Sequence, residues 1–142
     1  MSFPYKTTLT QNIFRLLLAI AMIYAGTSHL TFNRIDFQAQ VPEWVPLSKD
    51  LVVIISGLIE IALGLGLALW KTQRQKFGWA LAIFFILIFP GNISQYLNNT
   101  DAFGVLNSDG ARLRRLFFQP VLVIWALWSS GAWKTWRMTK QN

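Results

Sequence analysis

The chain has 142 residues, enough for one domain, and 54% of them are hydrophobic while only 13% are charged. Soluble domains carry about a quarter charged residues, and a core of this size cannot hide so much apolar surface, whereas a bilayer can. The net charge of +7 is divided among the gaps between apolar segments, which argues against nucleic-acid binding, and the absence of cysteine excludes disulfides, thiol relays, iron–sulfur clusters and thiolate metal sites.

Four apolar segments follow in order, and together they predict an all-α, four-transmembrane-helix bundle forming a single integral membrane domain over 1–142. The first, 12–30, contains Arg15 near its start and His29 near its end; it is too long for a cleavable signal and no A-x-A-like site follows it. An outer loop over 31–50 carries VPEWVP, whose two prolines prevent a continuous helix and whose Trp44 is an interfacial anchor. The second segment, 51–70, contains Glu60, and a short turn over 71–76 leads into the third, 77–97. A polar loop over 98–113 with Gly104 and Gly110 precedes the fourth segment, 116–133. Each segment approaches the ~20 residues that cross a bilayer, where a backbone can satisfy its own polar groups only as a helix. The stretch 80–90 has no charged residue at all, so a soluble bundle would lack a polar stripe there.

Orientation follows from the basic residues. The side holding both termini carries Lys6, Arg15, Lys71, Arg74, Lys76, Lys134, Arg137 and Lys140 with no acid among them. The opposite side dilutes its arginines and lysine with Asp36, Glu43, Asp50, Asp101 and Asp109. The positive-inside rule therefore puts both termini in the cytoplasm.

Polar groups inside hydrocarbon are costly, so each is a candidate site. Glu60 lies about 15 Å into its span at 1.5 Å per residue, near the midplane, and must be protonated or paired with a cation. Gly57 and Gly64 share its face and allow a neighbouring helix to approach, which turns Glu60 into the bundle. His29, the single histidine, can carry a proton or donate a hydrogen bond, but one imidazole cannot build a metal site, and none is expected. Asn92 lies beyond Pro90 in FPGNISQY, where its structural alternative is to repair backbone groups freed by the proline. Arg115 and Gln119 share one helical face below the RLRR cluster; Arg112 and Arg114 suit lipid headgroups, while Arg115 is better placed to turn inward. These residues come from all four segments and converge on the outer half. The expectation is a polar pocket of His29, Glu60, Asn92, Arg115 and Gln119, covered by Trp44, with Glu60 and Arg115 as its ion pair.

The pieces AGTSHL at 25–30, VPEWVP at 41–46, SGLIEIALGLGL at 56–67, FPGNISQY at 89–96 and RLFFQPVLVIWAL at 115–127 occur in an order that resembles the DoxX-like family of small four-helix membrane proteins. That family often has a proline where this chain carries Phe117. The resemblance implies a multi-pass protein of the bacterial inner membrane. It also implies a tie to quinone-linked thiosulfate oxidation, oxidative-stress complexes or membrane-protein maturation.

Three functions compete. The first is a redox-associated subunit that binds a quinone-like or other amphipathic ligand, with electrons supplied by a partner because no cofactor site is evident in the chain. The second is a non-enzymatic assembly factor or interaction partner for another membrane protein. The third, transport of a small solute, would call for a homo-oligomer, since four helices make a narrow pathway. Whether the chain is an enzyme stays open at this level. Membrane lipids are expected partners; nucleic acid is not.

Overall fold

The computed structural model describes residues 5–98 and 108–141, and these are helical with no strand among them. Six α-helices follow in order: α1 Leu9–Leu30, α2 Arg34–Phe37, α3 Lys49–Leu69, α4 Arg74–Leu97, α5 Asp109–Ser129 and α6 Ala132–Thr139. Single 3-10 turns at Gln38–Gln40 and Lys71–Gln73 lead out of α2 and into α4. Most of the polar loop expected over 98–113, including Asp101 and Gly104, lies outside the described residues.

The long helices begin where side chains can satisfy their first free N–H groups. Thr8 caps α1 in a capping box, accepting from the Gln11 N–H while Gln11 Oε1 accepts from the Thr8 N–H at 2.9 Å. Ser48 and Ser108 cap α3 and α5 more simply, their side chains accepting from the Leu51 and Ala111 N–H, and each is followed by an aspartate in the first turn.

Helices α1, α3 and α4 are each long and apolar enough to cross a membrane. The fourth segment departs from expectation. Helix α5 starts well before 116, because Ser108 caps it and the RLRR cluster is already helical. It stops at Ser129, where Gly131 takes the left-handed conformation (φ 76°) that side chains disfavour, and α6 leaves at 67° to α5. Only the bent pair together passes the length and hydropathy requirement, since Asp109 and three arginines occupy the first turns of α5.

The four long helices close a ring in which α1 contacts α3, α3 contacts α4, α4 contacts α5 and α5 returns to α1. The α1–α3 contact is the tightest. A Cβ on Gly57 would lie 2.8 Å from His29 Cβ and 2.9 Å from Gly26 O, so the two backbones meet where only glycine fits. Leu18, Met22, Leu67, Leu81, Phe84, Phe85 and Leu127 fill the centre.

The surface is apolar instead of polar. Ile20, Leu58, Leu87 and Ile124 face outward from the four long helices, while Gln11, Arg15, Glu60, Gln75, Asn92 and Gln119 are buried. Arg15, grouped above with the cytoplasmic charges, is one of those buried residues. Its Nη1 donates to the Leu67 and Ala68 carbonyls, so it ties α1 to the end of α3.

Candidate functional site

A cavity of about 580 Å³ lies among α1, α3, α4 and α5, beneath the segment that joins α2 to α3. The glycine contact between α1 and α3 sets its chemistry. By bringing the two backbones together it places His29 Nδ1 2.6 Å from Glu60 Oε2, with both residues buried. The same nitrogen lies 3.0 Å from the Ala25 carbonyl, so one ring N–H faces two acceptors and only one can hold it. Phe37 packs its ring against the imidazole, the centroids 3.4 Å apart and the planes inclined by 31°.

Arg115 lines the same cavity, half-buried on α5. The expected ion pair between Glu60 and Arg115 is not formed: the Glu60 carboxylate is taken by His29. Arg115 has no carboxylate within 4 Å among the described residues, and its Nε is buried without a hydrogen bond. Arg115 and Glu60 line the same cavity without a bond between them. A guanidinium held beside a carboxylate but not bonded to it keeps its donors available to a third group.

Asn92 and Gln119 play a different part. Asn92 Nδ2 donates to Gln119 Oε1 at 3.1 Å, and Gln119 Nε2 donates to the Phe85 carbonyl at 2.8 Å. Pro90 interrupts the backbone ladder of α4. The side chain that reaches a carbonyl in the turn before it is thus Gln119, from the neighbouring helix, and Asn92 holds Gln119 in place. Gln119 lines the cavity and Asn92 stands behind it.

Trp44 also lines the cavity and is 74% exposed. The lining at this end comes from Val41 and Pro42, both buried, and from Gln40, whose main chain sits against Gly91 of α4. The Gln40 Nε2 is buried without a hydrogen bond. It was missed in the sequence because nothing about a glutamine in a loop signals that the loop folds inward. The loop is fastened at its base by Arg34, whose guanidinium grips Asp50 at 2.5 and 2.6 Å; that hydrogen bonding raises the arginine's pKa further. Arg112, expected at headgroup level, is instead buried and pairs with Asp109 at 2.9 Å. Arg114 is the exposed arginine of the cluster.

The remaining walls are apolar and include Met22, Val53, Ile88, Leu122 and Trp125. Within them stand one close acid–imidazole pair whose Glu60 Oε2 is buried without a hydrogen bond, one unpaired guanidinium and one unpaired amide. Buried donors without partners are uncommon in folded proteins, and they mark places where water or a ligand completes the bonding. No grouping of three or more histidine, cysteine or carboxylate side chains that could hold a metal ion occurs among the described residues.

No curated protein and no solved structure matches the chain. A family model described as a domain of unknown function, DUF8561, matches residues 18–130, a stretch that contains every residue of the cavity described above. The chain belongs to the DUF8561 family.

Proposed function

We propose that this protein spans the bacterial inner membrane four times with both termini in the cytoplasm, and that its outer-half cavity binds the polar head of an amphipathic ligand of the quinone type. The inverted surface supports the membrane reading: apolar side chains face outward from every long helix while amides and charges are buried. The positive-inside bias and the ordered resemblance to DoxX-like proteins support the orientation and the compartment.

The observation that carries the ligand reading is the free guanidinium of Arg115 opposite the His29–Glu60 pair in an apolar cavity of about 580 Å³. Cavities of roughly 300–1,000 Å³ with apolar walls and a few convergent polar groups are the usual form of a small-molecule site. Arg115 and Gln40 would donate to the carbonyl oxygens of such a head, and the apolar walls would hold its ring and tail. His29 and Glu60 form a two-residue path on which a proton can be held and exchanged at Nδ1 and Oε2. A bound quinone would supply the electron-carrying ring, and a partner subunit would supply the electrons.

Native mass spectrometry of gently purified protein, with extraction and identification of whatever co-purifies, tests this reading. A stoichiometric amphipathic ligand that is lost in Glu60→Gln and Arg115→Ala is the expected result. Ligand affinity unchanged in both variants sinks it. A ligand-free protein that retains a stoichiometric partner subunit after the same substitutions would favour an assembly factor instead.

A further inference from the structure

A second cavity, of about 740 Å³, lies at the opposite end of the molecule, in the elbow between α5 and α6. Its construction starts at Gly131. The positive φ there turns α6 through 67° across the end of α5, so that the helix cannot continue along the bundle axis. Gln11 braces the wall from below. Buried to 4% exposure, it donates from Nε2 to the Trp128 carbonyl at 2.8 Å and accepts from the Tyr5 hydroxyl at 2.9 Å. The elbow, the N-terminal segment and α1 are thereby locked to one another around the opening.

The lining is chemically divided. Ile124, Leu127 and Trp128 make an apolar floor on α5, and Met138 adds to it from α6. Lys134 and Arg137 stand over it as two exposed cations, Lys134 resting 4.5 Å above the Tyr5 ring. Neither has a carboxylate partner among the described residues. The six acidic residues of the chain are at 36, 43, 50, 60, 101 and 109, so none lies in the N-terminal segment, the 71–76 turn or α6. Trp133 and Trp136, on α6, are half exposed and suit the boundary between headgroups and hydrocarbon.

We propose that the α5–α6 elbow is a binding site for an anionic phospholipid of the cytoplasmic leaflet. Lys134 and Arg137 pair with the phosphate, and the floor on α5 takes the upper part of an acyl chain. Two unopposed cations favour an anion, and the apolar floor continues onto Ile124, which is 66% exposed and leads outward along α5. A soluble phosphate would use the cations and leave that floor uncovered; a lipid covers both. The site is independent of the outer cavity, so the ligand reading above can fail while this one holds.

The test titrates the full-length protein in detergent with phosphatidylglycerol and with phosphatidylethanolamine of the same acyl chains, reading bound lipid by native mass spectrometry. Wild type is expected to prefer phosphatidylglycerol, and the double variant Lys134→Ala/Arg137→Ala to lose about thirtyfold in that affinity, equivalent to about 2 kcal/mol for two cations at the membrane surface. The control Lys6→Ala/Lys76→Ala removes two charges from the same side but outside the cavity and should leave affinity within about twofold. Brominated phosphatidylglycerol should quench tryptophan fluorescence in wild type more than in the Lys134→Ala/Arg137→Ala variant. Equal losses in both double variants would mean diffuse surface attraction and overturn the site. So would unchanged binding in the Lys134→Ala/Arg137→Ala variant, or full displacement by millimolar inorganic phosphate, which would mark a simple anion site.

Discussion

His29 of α1 and Glu60 of α3 meet at 2.6 Å because Gly26 and Gly57 bring the two backbones together just beside them. The polar pair and the small-residue contact are thus one structural unit. The glycines remove the side chains that would hold α1 away, and the acid and imidazole then supply each other with a partner where water is scarce.

Removing one partner should therefore be worse than removing both. His29→Leu leaves a buried carboxylate without its imidazole and should cost about 3–5 kcal/mol. The double variant His29→Leu/Glu60→Leu should recover much of that loss. Reversible unfolding in mixed micelles measures the cycle; additive losses would show that the two side chains are uncoupled.

Gly57→Leu tests the same unit from the backbone side. Any Cβ at this position lies within 2.9 Å of Gly26 O and His29 Cβ, so α1 must shift. A loss of about 1–3 kcal/mol is expected from the overpacking, and more if the His29–Glu60 contact opens with it. A thermal midpoint equal to wild type would show that α1 can move without penalty.

Arg115 should behave in the opposite way. With no carboxylate within 4 Å among the described residues, it contributes little to the fold. Arg115→Leu should change stability by less than about 1 kcal/mol or increase it. It should nevertheless abolish retention of the cavity ligand, and Arg115→Lys should restore it only in part because the planar donor fork is lost. Melting curves and ligand recovery from the same preparations separate the two effects.

The membrane topology can be read with single cysteines, because the chain has none of its own. Glu43 in the loop before α3 and Thr72 in the turn before α4 are both exposed. In intact spheroplasts a membrane-impermeant maleimide should label Glu43→Cys, and should label Thr72→Cys only after permeabilisation. The reverse pattern would invert the orientation that the basic residues imply.

Much of the helical architecture was legible in the sequence, since hydropathy is a local property. The apolar runs 12–30, 51–70 and 77–97 fall within a few residues of α1, α3 and α4, while the Thr8 and Ser48 caps start α1 and α3 earlier than hydropathy alone placed them. The bend after α5 was less legible: a hydropathy run passes through Gly131 because a left-handed glycine hardly alters local polarity. Glu60, His29 and Arg115 stood out because each is costly in an apolar segment. Gln40 did not, because a loop glutamine is ordinary until its loop folds over a cavity.

What the sequence by itself determined is therefore composition along the chain: which stretches are apolar and helical, where cations gather, and which polar residues are out of place among them. Only the tertiary structure decided the pairing. From depth alone, Arg115 was as good a partner for Glu60 as His29, because distance along a helix axis says nothing of rotation about it or of how closely two helices approach. The glycines on the α1–α3 face settled that choice by letting His29 come within 2.6 Å of the carboxylate, leaving Arg115 unpaired in the cavity.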